Sequence, residues 1–282
     1  MTTPIKRSSR AIIAGSSLGP VRPKATSRKM AFGVEESARA YRLRLARYVA
    51  MAEEVAAFVK EQNLEGDQRL KLLDVGFGSG RSMRFIDPTR VSEHIAFFGV
   101  DNNEERLRNV YMPKRWVLKR CDLNQGELPF DMGVFDMVVC EQVLEHLINP
   151  EVVLQEIGRV LRPGGLLVAG TATCWPGLRA VRQHVVPLFD RVMGMSRSHE
   201  QFFTCRSFAK LIEQAGCFSI RQVRGFRFVS GGPIAWLESF HWWYRVNRFV
   251  GAVLPWLCPD VQVVATRCAL PCTDLQTTNL DA

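Results

Sequence analysis

Apolar residues recur along residues 34–60 at Val34, Ala38, Tyr41, Leu45, Tyr48, Ala52, Val55 and Val59. Steps of three and four place them on one face, so the pattern predicts an amphipathic helix over this span. From residue 70 the rhythm changes. Short apolar runs, LKLLDV (70–75), IAFFGV (95–100), WVLKRC (116–121), FDMVVC (135–140) and GLLVAG (165–170), alternate with helix-like stretches. Near-continuous runs of this kind predict strands covered on both faces. The clearest helix between them starts at Asn149, a favoured N-cap type, with Pro150 at its first position. Val153, Leu154, Ile157, Val160 and Leu161 form its stripe, and RPGG (162–165) is expected to stop it. Residues 171–204 break the pattern and read as an insertion. A helix capped by Thr204 and ended by Gly216 follows, then strands over 219–229 and 260–266. An aromatic, helical stretch at 234–256 separates those two strands.

Strands alternating with helices predict βαβ units and an α/β fold with a doubly wound, parallel sheet. Right-handed crossovers would then gather the carboxyl ends of the strands on one edge, where ligands bind. The expected organisation is a disordered basic tail (1–30), a single domain (31–270) and a frayed terminus (271–282). Within the domain, 171–204 and 230–256 are expected to serve the substrate side.

Charge divides the chain unevenly. The net charge is +9, yet residues 1–30 alone carry seven cations and no acid, leaving +2 for the rest. This tail is poor in large apolar residues, which predicts a solvated extension. An organellar transit peptide or an anchor to an anionic surface are the alternatives. Its AIIAG patch is too short for a signal-peptide core. Eight scattered cysteines include no CxxC pair, and the histidines add no metal-ligand spacing. Reduced thiols, a cytoplasmic location and no bound metal are therefore expected.

Gly76, Gly78 and Gly80 follow the first strand and open a helix. Glycine permits a tight turn and lets a ligand lie against the backbone. The spacing is GxGxG, with Arg81 where a dinucleotide fingerprint places its third glycine. Asp74 stands directly ahead of the turn, where it would repel a pyrophosphate and attract an ammonium or sulfonium group. Asp101 ends the second strand and suits the two hydroxyls of a ribose, or caps the following helix. Asp122 lies just past the third strand, placed either to accept an adenine amino hydrogen, beside the Leu123 amide, or to hold a turn. Glu141, Gln142, Glu145 and His146 lie over the sheet edge after Cys140. His146 is a candidate general base, since imidazole titrates near neutrality.

In their order, LLDVGFGSG, FFGVD, RCDL, LPFDMGVFDMVVCEQVLEHL and EIGRVLRPGGLLV resemble the class I S-adenosylmethionine-dependent methyltransferases. The likeness is strongest to the members acting on small molecules, quinone precursors and lipids. It covers residues 70–170 and continues more loosely through EQFFTCRSFAKLIEQAG. It implies a Rossmann-like, seven-stranded, mostly parallel sheet with an antiparallel last strand at 260–266. It also implies S-adenosyl-L-methionine as cofactor, with Asp74, Gly76, Phe77, Gly78 and Gly80 at the methionine moiety. Asp101 would take the ribose, with Asn102 next to it also cofactor-binding, Asp122 and Leu123 would take the adenine, and Glu141 and Gln142 the region of the transferable methyl. Asp136 and RPGG match positions that are mainly architectural in the family. The NPPY-type motif of amino-methylating DNA and protein enzymes is absent, since CEQV stands there, so no specific nucleic-acid binding is expected.

The expected acceptor is a small molecule, hydrophobic or lipid-linked, because the stretches outside the bare sheet are rich in tryptophan and phenylalanine. WLESFHWWYRVNRFVGAVLPWL mixes basic and aromatic residues as an interfacial helix does, which adds peripheral membrane contact to the expectations. A core helix or a dimer contact are its alternatives. Two other functions stay open at this level: a nicotinamide-dependent oxidoreductase, disfavoured by the glycine spacing and Asp74, and a cofactor-binding module without transferase activity.

Overall fold

The computed structural model describes residues 30–31, 34–35, 42–78, 80–89, 91–103, 116–174, 201–216, 218–230 and 232–269. Seven strands form its main sheet: β1 (Leu70–Val75), β2 (Ile95–Asp101), β3 (Trp116–Arg120), β4 (Phe135–Glu141), β5 (Leu161–Ala172), β6 (Phe218–Phe226) and β7 (Asp260–Arg267). Their order across the sheet is β3-β2-β1-β4-β5-β7-β6. The first five run parallel, and β7 is antiparallel to both β5 and β6. This is the α/β sheet expected from the sequence, with its antiparallel last strand.

Neighbouring residues of one strand feed opposite layers. Leu73 of β1 joins a core with Val138, Leu167, α3 (Pro150–Val160) and α4 (Cys205–Gly216), whose Leu154, Ile157, Phe208 and Ile212 are fully buried. Leu72 faces the other way, toward Met51 and Val55 of α1 (Arg42–Glu61) and Met83 and Ile86 of α2 (Arg81–Ile86). Adjacent apolar residues such as Leu72 and Leu73 therefore let one strand serve both layers.

The chain runs from β1 outward through β2 to β3, then returns to place β4 on the other side of β1. The carboxyl ends of β1 and β4 thus flank a switch point, where an open α/β sheet leaves a crevice. Asp136 braces the opposite end of β4. Its Oδ2 accepts the Lys71 amide at 2.7 Å, and its Oδ1 accepts Arg162 Nε at 2.6 Å. Arg162 reaches on to Gln62 beyond α1 at 2.8 Å.

Several boundaries differ from expectation. The leading helix starts at Arg42, not residue 34, and Val34–Glu35 instead pairs antiparallel with Met30–Ala31. At Val34–Glu35 the apolar spacing therefore does not mark helix, and residues 36–41 lie outside the described residues. RPGG is not a turn between elements, because α3 gives way to β5 at Leu161, which pairs with Phe135, and the register shifts before Met137–Leu166. Gly164, with φ 74°, absorbs that irregularity inside the strand. Asn149 caps α3 by position, and its side chain makes no cap bond. Thr204 behaves as expected, since its hydroxyl accepts the Ser207 amide at 3.1 Å while Ser207 Oγ accepts the Thr204 amide. The aromatic stretch divides into a 3-10 turn (Gly232–Ser239), α5 (His241–Val253) and a second turn (Pro255–Leu257). Residues 1–29 of the basic tail, residues 175–200 of the insertion and residues 270–282 lie outside the described residues.

Candidate active site

β1 ends at Val75, and the chain then folds back on β2. The amides of Gly76 and Phe77 both donate to the Val100 carbonyl, at 2.9 and 3.0 Å. Gly76, Gly78 and Gly80 all hold positive φ, at 70°, 56° and 69°, a region that other residues enter only with strain. Space is as restrictive as torsion at Gly76, where a Cβ would stand 2.3 Å from Val143 Cγ2. The turn frames a cavity of about 600 Å³ at the sheet's carboxyl edge, within the usual range for small-molecule sites.

Ten of the residues expected at a cofactor or catalytic site line this cavity: Gly76, Phe77, Gly78, Asp101, Asn102, Asp122, Leu123, Glu141, Gln142 and His146. Asp101 is buried, with Oδ2 accepting the Gly78 amide at 2.7 Å and Oδ1 the Asn103 amide at 2.8 Å. Each oxygen keeps a second lone pair for a ligand hydroxyl. Asp122 caps the short turn Leu123–Gln125 through the Asn124 amide at 3.1 Å, so the turn-holding role foreseen for it is present alongside its place on the wall. His146 closes the turn Leu144–His146 and is half-buried on the rim.

Asp74 and Gly80 are not on the wall. Gly80 caps α2. Asp74 is buried beneath the turn, where burial and the nearby Glu141 and Asp101 push its carboxyl well above the usual carboxylate range, against a Ser82 hydrogen bond. Burial therefore weakens the case for Asp74 as the attractor of a cationic ligand. Glu141, unlike Asp74, does line the cavity.

Glu141 is seated by residues from three elements. Gly170 of β5 has no side chain to interfere, since a Cβ there would stand 2.3 Å from Glu141 Oε2. Gln262 of β7 donates Nε2 to Glu141 Oε1, and Arg47 of α1 brings Nε to 3.4 Å from Oε2. That last contact is an ion pair without hydrogen-bond geometry, for Arg47 Nε and Glu141 Oε2 both lack a hydrogen-bond partner. Arg47 also pairs with Asp260 at 3.3 Å, and Arg227 pairs with the same Asp260 oxygen at 3.0 Å. Burial outweighs this support and raises the Glu141 carboxyl to about 7. Next to it Gln142 adopts φ 58°, a left-handed conformation rare for a side-chain-bearing residue, while its amide donates to the Gly170 carbonyl at 2.8 Å. Such outliers cluster at working sites. Gln142 Nε2 is buried without a partner, a donor held ready for a ligand acceptor.

Arg47, Tyr48, Arg81, Ser82, Asn124, Val143 and Leu147 complete the lining and were not foreseen as site residues. A signal existed for Arg47, which interrupts the apolar row Leu43, Met51, Val55 and Val59 with a cation. Asp260 and Gln262 likewise interrupt an otherwise apolar strand at alternate positions. Among the described residues no cluster of His, Cys, Asp or Glu could hold a metal ion.

The family model for a methyltransferase domain matches residues 73–169. An uncharacterized methyltransferase of Schizosaccharomyces pombe is 36% identical over 105 residues, which is 34% of this chain and 37% of that protein. A demethylmenaquinone methyltransferase of Staphylococcus aureus is 29% identical over 155 residues, covering 49% of this chain and 62% of its own length. A ubiquinone biosynthesis O-methyltransferase of Maricaulis maris is 29% identical over 115 residues, 39% of this chain and 42% of that one. The chain thus spans between 37% and 62% of the length of these curated relatives. Of solved structures, the DszA carbon methyltransferase superposes with a TM-score of 0.53 at 16% identity, over 79% of this chain and 54% of that chain. A Galdieria sulphuraria protein assigned provisionally as a sarcosine dimethylglycine methyltransferase gives 0.55 at 12%, over 79% and 86%. At these identities the likeness is one of fold.

Proposed function

We propose that this chain, whose residues 73–169 match the family model for a methyltransferase domain, is a class I S-adenosylmethionine-dependent methyltransferase that transfers a methyl group from S-adenosyl-L-methionine to a small acceptor, hydrophobic or lipid-linked. The observation that carries the reading is the convergence on one cavity of the glycine turn, Asp101, Asp122 with Leu123, and Glu141 with Gln142. The residues fit the cofactor: the positive-φ glycine turn admits a chain against its backbone, Asp101 keeps lone pairs free for ribose hydroxyls, and Gln142 offers an unpartnered donor.

When bound, this cofactor supplies an already activated sulfonium methyl. The protein's share is therefore position and exclusion of water. Asp101 would hold the ribose, and Asp122 and the Leu123 amide the adenine. Glu141, backed by Arg47, Gln262 and Gly170, would set the charge beside the methionine end. His146, on the rim, would take the proton of a hydroxyl or acidic-carbon acceptor. The ubiquinone and menaquinone enzymes among its relatives favour an acceptor of that lipid-linked kind.

The test is mass spectrometry of the purified chain for retained cofactor, then a screen of quinone-precursor and other hydrophobic acceptors with labelled methyl donor. Retained or added S-adenosylmethionine with label transfer is the expected result. A thermal shift with a nicotinamide nucleotide alone would instead revive the oxidoreductase. Cofactor binding without label transfer to any acceptor would leave a binding module.

A further inference from the structure

The helix α5 is built inside out for a surface helix. Trp242, Val246, Phe249, Val253 and Trp256 recur at steps of three and four from the helix into the following turn, and all face solvent. Phe249, at the centre of the row, is 69% exposed, and the tryptophans at its two ends are 54% and 52% exposed. The opposite side carries Asn247 and Gly251, both buried, with Gly251 against the backbone of Gly225 in β6. An ordinary surface helix turns its apolar stripe inward. Trp236 and Phe240, also exposed and in ring contact at 6.0 Å, lengthen the row at its start.

Charge narrows what could cover this face. No acidic residue occurs between Ser239 and Pro259, and Arg245 is exposed about 60° around the helix from Trp242 at 3.6 residues per turn. On its inner flank α5 is tied to α1, since Arg248 donates to both carboxylate oxygens of Glu53 at 2.8 and 2.7 Å. Tyr244 packs there against Ala46 and Ala50. Residues 1–30 of the same chain carry seven cations and no acid. An apolar row with tryptophan at each end and the exposed Arg245 beside it, in a chain that also carries a basic segment, matches the boundary of an anionic bilayer. A twofold pairing of the same face would bring two copies of Arg245 to it, with no acid of residues 240–259 to answer them.

We propose that the outward row of α5 docks this protein on an anionic lipid surface, with residues 1–30 supplying electrostatic attraction. Apolar insertion and a polybasic segment are the two signals that reversible anchoring needs. Arg47, one residue from the Ala46 that Tyr244 covers, lines the cavity. A docked α5 would therefore hold the site beside the membrane, where a lipid-soluble acceptor resides. The docking stands or falls separately from the proposed transferase activity.

Flotation of the full chain with vesicles of phosphatidylcholine, alone or mixed with phosphatidylglycerol, tests it. The chain should partition onto the mixed vesicles with a blue shift of tryptophan emission, and added salt should weaken the partition. Phe249→Glu should lower it by about tenfold or more, while Phe249→Leu retains it. Binding of S-adenosylhomocysteine, read by calorimetry, should survive Phe249→Glu, which shows the variant folded and keeps the cofactor reading separate. Absence of vesicle binding, or binding indifferent to Phe249→Glu, overturns the proposal. So does a concentration-dependent dimer, seen by sedimentation, that Phe249→Glu dissolves.

Discussion

Glu141 holds its carboxyl near 7, because burial outweighs the Arg47 charge and the Gln262 hydrogen bond. Its ordinary value is 4.5. Between those two values the folded chain keeps a proton that the unfolded chain has released, so stability falls as pH rises through the window, by up to about 3 kcal/mol. The Glu141→Gln variant has no such loss. Its stability relative to the parent should grow from about pH 5 to about pH 7 and then level off, as read by urea denaturation across that range. A gap independent of pH would mean Glu141 is ionised throughout. The same proton governs ligands. A sulfonium beside Glu141 favours its ionised form, so affinity for S-adenosylmethionine relative to the uncharged S-adenosylhomocysteine should rise with pH, by up to about tenfold per unit below 7. Glu141→Gln should flatten that ratio. Gly76 gives a complementary test of the turn. Gly76→Ala combines a φ of 70° with a Cβ 2.3 Å from Val143, and should cost about 2–3 kcal/mol along with most of the cofactor affinity. Val143→Ala relieves only the collision, so the double variant should recover stability in part.

Among the elements, α1 does what its apolar stripe alone does not announce. Its Arg47 is the cation shared by Glu141 at the end of β4 and Asp260 at the start of β7. Arg47→Met strands Glu141 without a cation, whereas Asp260 keeps Arg227. The expected cost is about 3 kcal/mol at pH 8 and clearly less at pH 5, where Glu141 is protonated in either chain. Equal losses at both values would assign Arg47 to packing alone. This network was legible only in outline. The strand-end acids Asp101 and Asp122 and the pair Glu141–Gln142 could be read from a short motif followed by a turn, because each follows a run whose direction the pattern sets. Arg47, Asp260 and Gln262 meet across 213 and more positions of sequence, and no local pattern encodes such a meeting. Asp74 shows the reverse case. Its place in the chain is clear from the pattern, but its depth beneath the turn, and the upward push that burial gives its carboxyl, come from packing that no local pattern states. The early start assigned to α1 and the role given to RPGG failed for a related reason, since spacing and a glycine pair report propensity while the sheet's register decides the boundary.

Across the whole molecule, two regions are built on different terms. The cavity lies at the carboxyl ends of β1, β2 and β4, beside α1 and α2, the elements that also build the two cores. By contrast α5 sits on the outermost strand, β6, and its seat is a contact between two glycines. A Cβ on Gly251 would stand 1.9 Å from the Gly225 carbonyl oxygen, and backbone cannot move aside as a flexible side chain does. Gly251→Ala should therefore lift α5 from β6. We expect a loss of about 2–4 kcal/mol, with amide exchange accelerating across 241–253 and along β6 while β1, β2 and β4 keep their protection. Cofactor binding should persist, because no residue of α5 or β6 lines the cavity. If exchange quickens uniformly over the sheet, α5 is integral to the core, and the outward apolar row is the far side of a structural helix. If the change stays confined to α5 and β6, the fold carries its cofactor site and its apolar outer face on separable elements, and acceptor delivery can vary without disturbing the methyl donor.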